Sequence, residues 1–162
     1  MTRAPISEAD AAIRLDETLH EWARLWTAGA LVGEIEHQAL PDDKGHFHWL
    51  IRLKGEEKSV ITLWLSLRQR TVFVETEVMP APEANHEELY RYLLVKNHEL
   101  RELHLAIGPE AGIYLVEQVP LLELTVERMD ELVGATVTYV DEIYPSGMSM
   151  GLPSVYRRRR PL

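Results

Sequence analysis

The start of the chain carries apolar residues at helical spacing. The stripe consists of Leu15, Leu19, Trp22 and Trp26. Steps of four, three and four positions are typical of one face of an amphipathic α-helix. Ser7 and Asp10 fit a capping box at its start, with Asp in the place of Glu, and Gly29 marks its end. Two tryptophans on one stripe indicate a helix that lies on a broad apolar surface, most simply a sheet.

The next part of the chain alternates apolar and polar residues, which predicts β-strands. After a strand candidate in VGEIEHQ, the alternation appears in HFHWLIRL, SVITLWLSL and TVFVETEVM. The connections GEEK and RQR are too short for the crossovers that parallel strands need, so the pattern predicts an antiparallel meander. In the last of these strands, the alternation leaves open whether Val72 and Val74 or Phe73 and Glu75 face the core.

The second half of the chain returns to helical spacing. Two prolines in PAPEAN end the meander, and Asn85 with Glu88 is the predicted cap of a second helix. LHLAIG and GIYLVEQV then form two short strands around the turn GPEAG. A third helix starts near Thr125, with apolar residues every three or four positions, and is expected to end before Pro145.

This order of elements predicts an α+β fold. One antiparallel sheet is covered on its core side by three helices, in the order α-β(3-4)-α-β-β-α. Residues 1–145 form a single domain in this interpretation, and residues 146–162 form an Arg-rich C-terminal tail. The predicted core residues are Leu15, Leu19, Trp22, Phe47, Trp49, Ile51, Leu53, Ile61, Leu63, Leu65, Leu93, Leu100, Val133 and Val137.

Composition narrows the class of protein. The 162 residues include no cysteine, which excludes disulfides and thiolate metal sites and fits a reducing cytoplasm. The N-terminus lacks the apolar segment of a secretory signal, and no apolar run is long enough to span a bilayer. A net charge of -9 should repel nucleic-acid phosphates. Arg157–Arg160 are the one basic run that could bind nucleic acid or an acidic membrane. A solvated tail is the simpler interpretation of this run, so we expect neither nucleic acid nor a membrane as a partner.

The segment from Lys96 to His104, KNHELRELH, mixes acid, base, amide and imidazole groups. On a helix, Asn97, His98 and Glu99 are about 100° apart, so their side chains face three directions and do not converge on a substrate. Asn97 alone lies on the inward face, where its amide can hydrogen-bond backbone groups and tie the helix to the following hairpin. The structural interpretation is favoured, and no catalytic residue is predicted.

Two further patterns have both a chemical and a structural interpretation. His46 and His48 share one strand face at a spacing that can chelate a metal, with His37 on the preceding strand as a third ligand. No metal motif such as HExxH accompanies them, so a solvated face is favoured. Glu75 and Glu77 resemble a glycosidase carboxylate pair, but outward alternation on a strand explains them equally well. No metal or cofactor is therefore predicted.

A possible interaction surface lies on the strand SVITLWLSL. If its Ile and Leu residues face the helices, Val60, Thr62 and Trp64 lie on the opposite sheet face. A solvated sheet face should be polar, and an exposed Trp indicates a surface that something covers. We predict an interface there, most simply with a second copy of the chain in a homodimer. Cover by helix and tail residues of the same chain is the alternative.

The segment YLLVKNHELRELHLAIGPEAGIYLVEQVPL resembles the YbjN domain family. The matching features are a helix that ends in Asn97, two short strands of which the second ends in VPL, and a last amphipathic helix. With the upstream elements, the resemblance covers roughly residues 7–145. It implies a fold like that of type III secretion chaperones, in small acidic proteins that bind other proteins and are often dimeric. It supplies no catalytic residues.

These observations predict a non-enzymatic protein-binding module, chaperone-like or regulatory, with an unidentified protein partner. The alternative is a protein that binds a small ligand or a metal in the concavity of a curved sheet. An enzyme is a distant third.

Overall fold

A computed structural model describes residues 6–26, 30–38 and 40–159, apart from the side chains at positions 26 and 157–159. The elements are α1 (Glu8–Trp26), β1 (Glu36–His37), β2 (Phe47–Lys54), β3 (Val60–Arg68), β4 (Thr71–Met79), α2 (His86–Glu99), β5 (His104–Ile107), β6 (Ile113–Pro120), α3 (Val126–Gly151) and α4 (Pro153–Arg159). Short 3₁₀ turns at Pro109–Ala111 and Leu121–Glu123 flank β6. The predicted helix end at Gly29 and the side chains of Arg157–Arg160 lie outside the described residues.

The strands form one six-stranded antiparallel sheet in the order β1-β2-β3-β4-β6-β5. Tight turns pair β2 with β3 and β3 with β4, which is the predicted meander. After β4 the chain passes through α2, and the hairpin of β5 and β6 then joins the sheet with β6 beside β4. The short strand β5 is therefore an edge of the sheet. The predicted α+β class is confirmed.

One face of the sheet packs against the helices and carries the core. Every residue predicted to be core is buried except Phe47, Leu100 and Val137, which are half-buried. Two buried tryptophans find partners for their indole N–H groups on the helices. Trp22 Nε1 donates to Asp130 of α3 at 3.3 Å, and Trp49 Nε1 donates to Asp16 of α1 at 3.0 Å.

Two helices begin with side-chain capping contacts, of which the sequence predicted the first. Ser7 Oγ accepts a hydrogen bond from the Asp10 N–H at 3.1 Å, which confirms the cap of α1. Thr125 Oγ1 accepts from the Arg128 N–H at 3.1 Å at the start of α3.

Asn85 is the N-cap residue of α2, as predicted, but the capping contact expected of its side chain is absent. Asn85 has a left-handed backbone conformation with φ 53°, and its side chain makes no capping hydrogen bond to α2. Its Nδ2 instead donates to the Met150 carbonyl at 2.9 Å, near the end of α3. The N–H groups of Glu83 and Ala84 donate to the Gly151 carbonyl at 2.8 and 3.1 Å. The segment before α2 therefore serves as a cap for the C-terminus of α3, whose carbonyls lack partners within the helix.

The prediction that the third helix ends before Pro145 is wrong. α3 continues through Pro145, although a proline inside a helix removes one backbone hydrogen bond. Burial of the following turns offsets this cost, because Met148, Leu152 and Tyr156 belong to the core. Residues 146–156 are therefore part of the packed structure and do not form a tail.

Two glycines let this last part of α3 approach its neighbours closely. A Cβ on Gly147 would lie 2.8 Å from Met79 Sδ. A Cβ on Gly151 would lie 2.9 Å from Met79 Cε and 3.0 Å from Leu89 Cδ2. Because Met79 and Leu89 are fully buried, larger residues at these positions would force apart α3, β4 and α2.

Candidate functional site

The sheet face opposite the helices has an apolar centre. Burial of Val72 and Val74 in the core resolves the choice that the sequence left open, so Phe73 and Glu75 lie on this second face. Pairing across the strands aligns one row of this face through β2, β3, β4 and β6. The row consists of Leu50, Trp64, Glu75 and Val116.

The predicted interface residues lie on this face, and we call the surface centred on Val60, Thr62 and Trp64 the Trp64 face. Trp64 is 46% exposed and Val60 is 40% exposed, while Thr62 is half-buried. The described residues after α3 pack into the core up to Tyr156 and leave Trp64 open to solvent. An indole ring with this much exposed area is a suitable anchor for a protein contact.

Charged side chains flank the apolar centre of the Trp64 face. Arg52 Nη1 donates to Glu36 Oε1 at 2.6 Å. The guanidinium of Arg68 lies 4.1 Å from the centroid of the Phe73 ring, a cation–π contact. An apolar centre with a charged margin is the usual composition of a protein–protein interface.

A polar cluster that the sequence analysis missed lies at one end of this surface. Lys58 Nζ donates to the Glu77 carbonyl at 2.7 Å, and the Tyr114 hydroxyl donates to the Glu77 carboxylate at 3.2 Å. Burial lowers the pKa of Lys58, and the negative charge of Glu77 opposes that change. Burial and then the Glu77 charge raise the pKa of Tyr114. These contacts connect the β2–β3 turn to β4 and β6. The sequence analysis could not predict them, because the partners are far apart in sequence.

The structure separates His37 from the other two histidines of the candidate metal site, His46 and His48, which lie side by side. His48 Nε2 lies 2.7 Å from Asp42 Oδ2, and His46 Nδ1 lies 3.9 Å from the same oxygen. Hydrogen bonds from the His48 ring and the His46 N–H hold the pKa of Asp42 well below its usual range. The ring of His37 lies on the core side and stacks on Trp49 at 4.6 Å. Among the described residues, no group of three or more His, Cys, Asp or Glu side chains is arranged to hold a metal ion.

The polar residues at the end of α2 diverge. Asn97 Nδ2 donates to the Leu105 carbonyl at 3.1 Å, and Asn97 Oδ1 accepts from the Leu105 N–H at 2.6 Å. Lys96 Nζ donates to Glu142 of α3 at 2.5 Å, and His98 is exposed. Because Leu105 lies on the edge strand β5, the Asn97 amide occupies the place of a neighbouring strand at that residue.

A second exposed apolar surface, which the sequence analysis missed, lies on α2. Leu94 is 69% exposed and Val95 is 59% exposed, and Ile107 of the adjacent β5 is 60% exposed. A shallow depression of about 980 Å³ follows the outer side of α2, and a cavity of about 230 Å³ lies between α2 and β5. The available signal was the pair of apolar residues at 94 and 95, which do not fit the helical stripe through Leu93.

The family of the chain follows from comparison with known sequences. Residues 32–146 match the family model YbjN, described as "Putative bacterial sensory transduction regulator". The chain belongs to the YbjN family. The matched part of this YbjN protein includes the whole β-sheet, α2 and most of α3.

Curated relatives of this YbjN protein come from mycobacteria. Uncharacterized protein Rv0487 of Mycobacterium tuberculosis is 30% identical over 109 residues, which is 67% of this chain and 60% of the relative. Uncharacterized protein ML2442 of Mycobacterium leprae is 25% identical over 142 residues, which is 82% of this chain and 76% of the relative. The match therefore spans about 60% of the length of the first of these two relatives.

Solved structures share the fold of this YbjN protein. A chain of the HopA1-SchA chaperone-effector complex has a TM-score of 0.55 and 12% identity, over 87% of this chain and 99% of that chain. The complex of the Yersinia pestis type III secretion chaperone SycH with a stable fragment of YscM2 has a TM-score of 0.50 and 14% identity, over 78% and 97%. The predicted type III secretion chaperone-like fold is confirmed. In the described part of the chain, no helix has the length and apolar character that crossing a membrane requires.

Proposed function

We propose that this YbjN protein is a non-enzymatic, chaperone-like or regulatory module that binds another protein on the Trp64 face. The observation that carries the proposal is the exposure of Trp64, 46%, at the centre of a sheet face that the helices leave open. A partner that covers Trp64 and Val60 would remove apolar surface from water, which contributes about 25 cal/mol for each Å².

The margin of the Trp64 face indicates the chemistry of the partner. Arg52, Lys54 and Glu75 place charges of both signs around the apolar centre, so the partner should combine an apolar anchor with a polar rim. The net charge of the chain is -9, so a partner with a basic surface would associate faster than an acidic one.

The structural relatives support protein binding as the general activity. The complexes of SchA with HopA1 and of SycH with a fragment of YscM2 each hold two different proteins. The proposal also includes a homodimeric state and a cytoplasmic location. The absence of cysteine from the whole sequence supports that location, because disulfides are rare in a reducing compartment.

The alternative, a binder of a metal or small ligand on the sheet, has less support. Asp42 already accepts a hydrogen bond from His48. His37, the third ligand that such a site needs, stacks on Trp49 at the opposite face. The two functions make different predictions about what purifies with the protein.

Affinity purification of the full chain from its native cell, with quantitative mass spectrometry, tests the proposal. We expect one protein to be retained at a stoichiometric level by the wild type and lost by Trp64→Glu. Leu122→Glu is the matched control, since Leu122 is 68% exposed and follows β6 at the sheet end. Both variants should keep the circular dichroism spectrum of the wild type.

Two results would contradict the proposal. A stoichiometric partner that Trp64→Glu retains would place the binding surface elsewhere. A metal or metabolite that co-purifies with the wild type and is lost with Trp64→Glu would favour the alternative.

A further inference from the structure

Arg68, the last residue of β3, is a half-buried cation without an anionic partner. Its Nε atom is enclosed and makes no hydrogen bond, and Nη1 and Nη2 are neither enclosed nor bonded to any residue that the structure describes. Other arginines of the molecule are paired, as Arg52 is with Glu36. A half-buried guanidinium without acceptors is less stable than one that has them, so a ligand that supplies acceptors would be stabilised at Arg68.

The ring of Phe73 holds the Arg68 guanidinium in place. Arg68 Cζ lies 4.1 Å from the centroid of this ring, on the neighbouring strand β4. Phe73 is half-buried and pairs with Ser66, so the ring has a fixed position in the sheet. A cation–π contact covers one flat side of the guanidinium and leaves its N–H edge free to donate. Arg68 is therefore a pre-positioned donor, and a ligand that binds it does not have to order a free side chain.

Arg68 and Trp64 lie on the same sheet face at a fixed separation. They are four residues apart on β3, so the alternation of the strand turns both side chains away from the core. At about 3.3 Å for each residue, the two positions are about 13 Å apart. Ser66 lies between them and is buried, so it offers little contact area. A ligand that runs along β3 therefore meets an indole ring and then a guanidinium.

The described sheet positions beside Arg68 carry no competing carboxylate on this face. Thr71 lies opposite Arg68, and the next row of paired residues consists of His48, Ser66, Phe73 and Gln118. The carboxylate of Asp42 reaches this row but already lies 2.7 Å from His48 Nε2. The net charge of -9 repels anions, but salt screens that repulsion over about 8 Å. Arg68 therefore offers a carboxylate a local site of opposite charge.

The chemistry of Arg68 fits a carboxylate better than a phosphate. The planar guanidinium donates two parallel hydrogen bonds to the two oxygens of a carboxylate. One guanidinium balances the single negative charge of that group. A phosphate group carries a charge of about -1.5 to -2, so part of its charge would stay unbalanced on a chain that is already acidic. The ligand group at Arg68 is therefore expected to be the carboxylate of an Asp, a Glu or a chain terminus.

We infer that Arg68 determines which proteins bind the Trp64 face, by pairing with a carboxylate of the bound protein. The bound segment carries a large apolar residue that contacts Trp64 and, about four positions away in an extended chain, an acidic residue that reaches Arg68. This assignment rests on the proposed function of the Trp64 face, because it names the chemistry of the segment that binds there.

Peptide selection on the immobilised full chain tests this assignment. A random peptide library is selected in parallel against the wild type, Arg68→Gln, Arg70→Gln and Trp64→Glu. We expect the wild type to retain peptides with Asp or Glu about four positions from a large apolar residue. Arg68→Gln should lose the preference for Asp or Glu and keep the preference for the apolar residue. Arg70→Gln is the matched control, because it makes the same charge change in the exposed turn before β4, and it should keep both preferences.

A double-mutant cycle measures the contact itself. Titration calorimetry compares a selected peptide with the same peptide in which the acidic residue is replaced by its amide. On the wild type, this replacement should weaken binding about tenfold, because it removes a charge-assisted pair. On Arg68→Gln it should have little effect, since the pair is already absent. Arg68→Lys keeps the charge but lacks the planar fork, so it should give an intermediate loss.

The outcomes distinguish this assignment from the proposed function. Peptides that need Trp64 but show no preference for an acidic residue would overturn the pairing with Arg68 and leave the proposed function intact. Equal weakening of the wild type and Arg68→Gln by the amide peptide would have the same meaning. If the wild type retains no peptide above the Trp64→Glu background, both are contradicted. A shift of the Arg68 Nε–H signal in NMR spectra with inorganic phosphate, but not with a selected peptide, would assign the guanidinium to a phosphate group instead.

Discussion

The inner and outer faces of α2 differ in how the chain uses them. On the inner face, Leu89 and Leu93 are buried, Lys96 reaches Glu142 of α3, and Asn97 holds the edge strand. On the outer face, Leu94 and Val95 are adjacent in sequence to those residues but exposed to solvent. The inner face of α2 therefore makes contacts that stabilise the fold, whereas Leu94 and Val95 on its outer face are not buried in the core.

This difference leads to opposite expectations for substitutions one position apart. A change on the inner face should lower the free energy of unfolding of the monomer. A change on the outer face should leave that free energy unchanged, because its side chains are already exposed. The following substitutions test this difference between the inner and outer faces of α2, from the largest expected effect to the smallest.

Asn97→Leu should have the largest effect. It leaves the N–H and carbonyl of Leu105 without partners in a partly buried place, which we expect to cost about 2–4 kcal/mol of unfolding free energy. It also opens the edge of β5, so light scattering should show more aggregation than in the wild type. Urea denaturation at low protein concentration measures the first effect.

His98→Leu is the control for Asn97→Leu, because His98 is the next residue on α2 and is exposed. Its unfolding free energy should remain within about 0.5 kcal/mol of the wild type. Equal stabilities of the two variants would show that the Asn97 bonds do not matter for the fold.

Gly151→Val tests the close contact between the end of α3 and the inner face of α2, where Gly151 lies against Leu89. The added methyl groups would overlap Met79 and Leu89, so we expect a loss of about 1–3 kcal/mol in thermal or urea unfolding. Gly134→Ala is the matched control in the same helix, because a Cβ at Gly134 meets no atom within 4 Å. That change should stabilise α3 by about 0.5–1 kcal/mol, and a loss there would contradict the packing described.

Lys96→Met removes the ion pair between α2 and α3. The hydrogen bond to Glu142 is the main cause that raises the pKa of Lys96. A raised pKa in the folded state means that the pair stabilises the protein below the unfolded pKa of about 10.4 and loses this effect as the pH rises through the folded pKa. We expect a difference of about 0.5 kcal/mol from the wild type at neutral pH.

The pH profile distinguishes charge from packing at Lys96. The difference between wild type and Lys96→Met in urea unfolding should shrink as the pH rises through the folded-state pKa of Lys96, which the hydrogen bond to Glu142 holds above its ordinary value. A constant difference across the alkaline range would show that the methylene chain of Lys96, rather than its charge, makes the contribution.

Leu94→Gln, on the outer face, should have the smallest effect on the fold. The unfolding free energy of the monomer should change by less than about 0.5 kcal/mol, because the side chain is already exposed. A large loss of monomer stability would remove the distinction between the two faces of α2.

The sequence by itself determined the faces of the strands and the inner face of α2. Alternation in β2 and β3 predicts the burial of Trp49, Ile51 and Leu63 because a strand turns successive side chains to opposite sides of a sheet. Helical spacing predicts that Leu93 faces inward and that Asn97 lies on the same side. These properties depend on repeat geometry that a few neighbouring residues specify.

Only the tertiary structure decided how α3 ends and what the segment before α2 does. Local rules end a helix at a residue such as Pro145 and assign Asn85 to the nearest helix, because they consider only sequence neighbours. In the fold, burial of Met148 extends α3. The carbonyls at the end of α3 then accept hydrogen bonds from the backbone N–H groups of residues 83 and 84 and from the Asn85 side chain. The exposure of Leu94 likewise depends on where α3 and β5 pack around α2. Long-range packing outweighs the local preference at these places because the area it buries contributes more free energy than one lost backbone hydrogen bond.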